Sequence, residues 1–391
     1  MDLTAAERDV LAGMHGRATR KSMEILVALG EIYGARRLIK VASAQIAGVS
    51  YDNLGEAGLA FLEEMAKDGR AVVRSTLNPA GMDLDGWSRM GIDEEFAARQ
   101  KKVIEAFEKM GVLITCTCTP YLAGNEPRPR EHLAWSESSA VCYANSVLGA
   151  KTNREGGPSA LASALTGRTP EYGLHLDEER RPVVSVEVCA LLEDVTDFGA
   201  LGHVLGERTG NRVVYLKGLQ DAGPDQLKSL CASVATYGGC AMFYAPGITP
   251  GEAEEPRERI SLTAKDLEHA KAWLNDPGKV DFVAIGCPHC SLDELRQIAE
   301  LLDGKRVTRE TWIATARPLK EAAEQEGLVT RIEASGAKVV ADTCFVVAPI
   351  RGRFRSMATN SAKAVFYARS KNRFQTVFLP LTRLLEIATG R

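Results

Sequence analysis

VDFVAIGCPHCSLDELRQIAELL, residues 280–302, decides the fold class. Phe282–Gly286 is an unbroken run of apolar and small residues, the pattern of a strand buried on both faces. Ser291 and Glu294 then stand at capping-box spacing, so a helix starts almost at once behind the strand. The same beat recurs outward in both directions. LIKVASAQI (38–46) reads as a strand and LGEAGLAFLEEMAK (54–67) as a helix; AVVRSTL (71–77) is a strand and DEEFAARQKKVIEAFEKMG (93–111) a helix. VLITCTCT (112–119), RPVVSVEVCALL (181–192), RVVYLKG (212–218), CAMFYAP (240–246), TWIATA (311–316) and KVVADTCFVVA (338–348) continue the strands. Strands alternating with helices imply an α/β protein with parallel sheets flanked by helices.

Thr4 and Glu7 predict a capped first helix, KSMEILVALGEIYG (21–34) a second, and a further one is expected to begin at Ser136 as N-cap. The length of 391 residues suits two or three lobes. We divide them as 1–120, 121–260 and 261–391, with GITPGEAEEPRER (247–259) and Arg180–Pro182 as the linker candidates. Hydrophobic residues make up 45% and charged residues 25%, an ordinary globular balance, and the formal net charge of −3 offers no basic surface for nucleic acid. No apolar run is long enough for a membrane span, and the polar start MDLTAAERDV does not read as a signal peptide. A cytoplasmic protein is expected, and its nine cysteines are then not a disulfide framework.

Ligands in parallel α/β sheets gather outside the carboxyl ends of the strands. Gly48-Val49-Ser50 and Asn78-Pro79 follow two predicted strands there, and three other strand ends carry Cys116/Cys118, Cys287/Cys290 and Cys344. Converging soft thiolates suit an iron–sulfur cluster or zinc. A lone cysteine in a strand is ordinarily a packing residue, and Cys142, Cys189, Cys231 and Cys240 are assigned to packing. The Cys287–Cys290 spacing fits a metal knuckle or a redox dithiol. Cys290 at a helix start is expected to have a lowered thiol pKa. The polar stretch Ser136-Glu137-Ser138-Ser139, with Asn145, Asn153-Arg154 and the tight Gly156-Gly157-Pro158 loop, supplies further candidates. Arg154 and Asn153 would fix a carboxylate or phosphate. Thr359-Asn360-Ser361-Ala362-Lys363 reads as a helix start with a lysine one turn in, an anion site or a solvated surface charge.

Five blocks together carry a resemblance: TCTPYL (117–122), HLAWSESSAV running on through YANSVLGAKTNREGGPSALASALTGRTPEYGLH (to 175), GCPH (286–289), DTC (342–344) and TNSAK (359–363). The chain resembles the large subunit of the aconitase X family over nearly its whole length. The resemblance implies an aconitase-superfamily body of three α/β lobes without the swivel domain, which a separate small subunit would provide. It also implies a hydro-lyase with a 4Fe-4S cluster on Cys118, Cys287 and Cys344. Cys116 and Cys290 are the alternative thiols. Gly48, Val49, Ser50, Asn78, Pro79, Glu137, Ser138, Asn145 and Lys363 become the candidate substrate contacts. The catalytic base in this superfamily resembles a serine on the swivel domain, so none is assigned to this chain. Members of the family dehydrate mevalonate 5-phosphate or cis-3-hydroxy-L-proline, and the separate large subunit favours the former. The readings set against this are an iron-sensing RNA-binding protein and a structural zinc site at Cys287/Cys290.

Overall fold

The computed structural model describes residues 1–219 and 221–390. Among these residues the strands fall, in chain order, into three groups joined by helices. The first group holds β1 (Leu38–Lys40), β2 (Ser43–Ile46), β3 (Arg74–Leu77), β4 (Leu133–Trp135) and β5 (Arg168–Pro170). The second holds β6 (Val184–Cys189), β7 (Val214–Lys217), the short β8 (Phe243–Tyr244) and β9 (Arg259–Thr263). The third holds β10 (Phe282–Cys290), β11 (Glu310–Thr315), β12 (Lys338–Ala341), β13 (Ser356–Thr359) and β14 (Gln375–Phe378). Three parallel sheets result, ordered β3-β2-β4, β8-β7-β6-β9 and β12-β11-β10-β13-β14, beside an antiparallel β1-β5 ribbon. No helix among the described residues is long and apolar enough to cross a membrane.

β10 is buried along its whole length at the middle of the five-stranded sheet, as its continuous apolar run requires. One face packs on Met82, Met90 and Ile92 from the N-terminal lobe, the other on the helices Leu292–Leu302 and Leu381–Thr389. The capping boxes at Thr4/Glu7 and Ser291/Glu294 both form.

Three readings of the sequence need correction. LIKVASAQI is two strands: β1 pairs antiparallel with β5, and after Val41–Ala42 the chain enters a different sheet as β2. VLITCTCT is no strand. Its β-branched residues run irregularly beside β3, with Leu113 N–H donating to the Ser75 carbonyl (2.8 Å) and Thr117 N–H to that of Leu77 (2.8 Å), and Cys116 takes a left-handed φ of 41°. In KVVADTCFVVA only Lys338–Ala341 is extended; Asp342 turns at φ 63° and frees Thr343–Cys344 from the sheet.

Gly286 shows how tightly β10 and β11 approach. Its φ is 100°, and a Cβ there would lie 2.1 Å from the Ala314 carbonyl oxygen. Gly286→Ala should destabilise the chain by about 1–3 kcal/mol through overpacking alone, which a thermal or urea unfolding midpoint reads directly. An unchanged midpoint would mean that the two strands separate freely here.

Candidate active site

The carboxyl ends of β2, β3 and β4 face those of β10, β12 and β13. Two direct links hold them together: Ala80 N–H donates to the Asp342 carbonyl (2.7 Å), and Ser50 Oγ to that of Val347 (3.0 Å). Beside them, Arg317 clamps Asp342, Asp85 (2.6 Å) and Asp83 (3.3 Å), while Asp83 accepts from the Ala341 amide at 2.9 Å. This polar seam fixes the loop of residues 80–86 against the end of β12.

The three thiols Cys118, Cys287 and Cys344 meet in the cleft so formed. They are near enough that ionising Cys287 or Cys344 would oppose ionisation of Cys118, and Cys118 stands in the same relation to Cys290. Exposure separates these thiols from the other buried cysteines: they are 5%, 7% and 5% accessible, whereas Cys116, Cys142, Cys231 and Cys240 are 0% and Cys290 is 1%. Cys116, on the far side of its turn, packs with the first lobe and faces Asp342 and Arg317. Cys287 packs on the Met82 side of the sheet with Cys344, and Cys290 on the opposite side with Ile285 and Leu295. Two residues three apart on a strand point to opposite faces. The expected lowering of the Cys290 thiol pKa is not found: burial pushes it well up, outweighing the helix start. Cys189 also differs from expectation, since the strand alternation turns it out to solvent.

Burial raises all three cleft thiols. Cys287 is pushed up to about 12, while Lys363 pulls it back. The amides of Val346 and Val347 hydrogen-bond the Cys344 sulfur and oppose the rise there. Among the described residues no three His, Cys, Asp or Glu side chains are close enough to grip a single metal ion. Neighbouring soft thiol donors are the type of ligand that iron–sulfur clusters take.

A buried ion pair stands beside the thiols. Lys363 Nζ donates to Glu137 Oε1, which also accepts from Ser139 Oγ (2.9 Å), and Asn78 Nδ2 donates to Glu137 Oε2 (2.8 Å). Burial alone would raise the Glu137 pKa. The Lys363 charge and these hydrogen bonds override it and hold the carboxyl at about 2. Burial would lower the Lys363 pKa, but Glu137, Cys287 and Cys118 raise it. Lys363 is therefore a buried cation at 6% exposure, neither a surface charge nor a free anion receptor. Gln45 on β2 completes the arrangement: its Oε1 accepts the Glu137 amide (2.9 Å) and its Nε2 donates to Asn78 Oδ1 (3.2 Å). Sequence reasoning passed over Gln45, although a lone amide inside an apolar strand was the available signal.

The remaining candidates divide. Ser138 (6%) starts its helix in the cleft wall beside Glu137, which is the N-cap in place of Ser136. Asn360 and Ser361, at 9% and 6%, line the same small recess as Cys287 and Pro288. Gly48 is exposed with open space around its Cα, whereas Val49 packs into the first core and Ser50 spends its hydroxyl on Val347. Pro79 is buried between Asn78 and Ala80. Asn145 is fully buried and its amide is consumed by Thr152, Ala241 and Arg180, which leaves nothing for a ligand. Asn153 is likewise tied to Tyr172 and Leu174, and Arg154 is exposed. The close approach expected at Gly156-Gly157-Pro158 is to the chain itself: a Cβ on Gly157 would sit 2.5 Å from the Ala47 carbonyl oxygen.

The chain is a three-lobed α/β body with a thiol-lined cleft where the carboxyl edges of two parallel sheets meet. The chain belongs to the aconitase X family: residues 1–178 match its first domain, 182–272 its second and 280–390 its third. The phosphomevalonate dehydratase large subunit of Methanocaldococcus jannaschii is 46% identical over 99% of this chain and 100% of its own. The cis-3-hydroxy-L-proline dehydratase of Pseudomonas aeruginosa is 34% identical over 99% of this chain and 70% of its own. The crystal structure of Thermococcus kodakaraensis aconitase X in its holo-form superposes with a TM-score of 0.93 at 44% identity, covering 99% of this chain and 100% of that one. Aconitase-family membership points to an iron–sulfur cluster.

Removing one partner of the ion pair leaves the other buried and uncompensated. Lys363→Met should destabilise the fold by about 3–5 kcal/mol near neutral pH. The Glu137 pKa lies below its unfolded value of 4.5, so its stabilising contribution is complete above pH 4.5 and is lost as the pH falls toward about 2. Urea unfolding at pH 7 and pH 3 checks both points: the gap between wild type and Lys363→Met should narrow at pH 3.

Proposed function

We propose that this chain is the large subunit of a cytoplasmic hydro-lyase that removes water from (R)-mevalonate 5-phosphate to give trans-anhydromevalonate 5-phosphate, a step of a variant mevalonate pathway to isoprenoids. The meeting of three slightly accessible thiols beside a buried Lys–Glu pair carries the reaction class. The full-length similarity to phosphomevalonate dehydratase large subunits supports the substrate. The partner is a small subunit carrying the swivel domain.

Cys118, Cys287 and Cys344 would hold a 4Fe-4S cluster. Burial keeps these thiols protonated on their own, so loading the metal expels their protons. A cluster with three protein thiolates leaves one iron open as a Lewis acid toward a hydroxyl that must depart. Lys363 brings a fixed positive charge against the thiolates. Glu137 keeps that lysine in place, and Asn78, Ser139 and Gln45 keep Glu137 in place. In the cleft wall, Ser138, Asn360 and Ser361 offer small polar groups to the substrate, and Gly48 leaves room for it. The base that takes the proton beside the carboxylate arrives with the small subunit, and no residue of this chain is given that role.

The two-subunit complex, purified without oxygen, should be brown and should turn over mevalonate 5-phosphate in preference to cis-3-hydroxy-L-proline when both are assayed side by side. Full activity from a colourless, iron-free complex overturns the cluster, and the reverse preference replaces the substrate. Cys118→Ser, Cys287→Ser and Cys344→Ser should each abolish cluster loading. Normal iron in all three would mean that other thiols are the ligands.

A further inference from the structure

His289 follows Cys287 by two positions and is 0% exposed, yet none of its polar atoms is idle. Its backbone N–H donates to Cys118 Sγ at 3.2 Å. Its Nε2 lies 3.0 Å from the Thr343 carbonyl, one residue before Cys344. A carbonyl only accepts, so Nε2 carries the proton and Nδ1 is the acceptor. The Thr117 hydroxyl, one residue before Cys118, donates to Nδ1 at 3.0 Å. Thr117 Oγ1 in turn accepts from the Thr119 amide at 3.1 Å. The His289 carbonyl accepts from Lys228 Nζ at 3.2 Å, and Lys228 is itself buried against Glu294 and Asp225 (2.8 Å). Every donor in this chain of bonds meets an acceptor, and reversing any link would strand a buried group.

We infer that His289 is the positioning residue of the cluster site: one imidazole ties the three cysteine-bearing loops together and sets the separation of their sulfurs. The inference rests on the proposed ligand set. The Cys118 segment runs beside β3 and the Cys344 loop follows β12 of another sheet, and the His289 ring spans both while its own main chain belongs to the end of β10 that carries Cys287. Its amide also donates directly to a ligand sulfur, a type of contact that tunes metal–thiolate centres. Nothing in this role requires contact with substrate.

The test uses the anaerobic two-subunit holoenzyme. Iron release to a chelator and the electron paramagnetic resonance signature of the reduced or oxidised cluster are compared across variants. His289→Leu should lose iron at least about tenfold faster than wild type, in line with the usual effect of removing a group that orients a metal ligand. Thr117→Val, a smaller perturbation that spares the imidazole, should accelerate loss in the same direction and shift the resonance. Combined with His289→Leu it should add little, because the shared hydrogen bond is already gone. His289→Gln, which keeps a donor toward the Thr343 carbonyl, should recover some of the retention. Far-ultraviolet circular dichroism should stay as in wild type for Thr117→Val. Wild-type iron retention and an unchanged resonance in both His289→Leu and Thr117→Val overturn the inference. Failure of the ligand set itself shows separately, as normal iron in the cysteine variants.

Discussion

The Glu137–Lys363 pair is the constraint on which the rest of the site depends. Each ion is almost wholly out of water, and each survives only because the other is there. Glu137 belongs to the end of β4 and Lys363 to the helix behind β13, so the pair can form only when the three-stranded and five-stranded sheets present their carboxyl edges to each other. The thiols in the same cleft have no comparable compensation of their own, and burial keeps them neutral. The protein thus carries a charge-balanced frame around three thiols that burial keeps neutral.

That frame explains the density of small polar residues after β2, β3, β4 and β13. Buried Gln45 and Ser139 and half-buried Asn78 satisfy Glu137 from three directions. Fixed dipoles and charges of this kind need no reorganisation when charge develops in a bound substrate, which is the economical way to stabilise it. The Arg317 clamp has an equivalent role farther from the thiols, where Asp83, Asp85 and Asp342 converge from both sides of the cleft on a single guanidinium.

Much of this was legible in the sequence, for physical reasons that differ from element to element. β10 and its capped helix were plain, since a strand buried on both faces must be apolar throughout and Ser291/Glu294 advertise the helix start. The reading of cysteines at strand ends holds by position only for Cys344, just beyond β12; Cys287 lies within β10 and Cys118 on an irregular segment beside β3. VLITCTCT misled because β-branched residues read as a strand, while its left-handed turn at Cys116 depends on contacts with β3 that local sequence does not encode. Asn145 and Asn153 looked like ligand groups and are structural struts, Asn145 reaching across to Ala241 of the second domain, because an amide with four hydrogen-bonding positions serves either role and only the fold decides. Cys290 was misjudged through weighing a helix dipole without its burial; desolvation is the larger effect at a site 1% exposed.

The two halves of the ion pair lie 226 positions apart along the chain, with the whole second sheet between them. Closing so long a loop yields no return until both ends are in place. During synthesis, therefore, the Glu137 carboxylate waits without its lysine until the C-terminal sheet has been made. The cleft and its ion pair are thus a late product of synthesis, complete only once residue 363 has joined the body that residue 137 began.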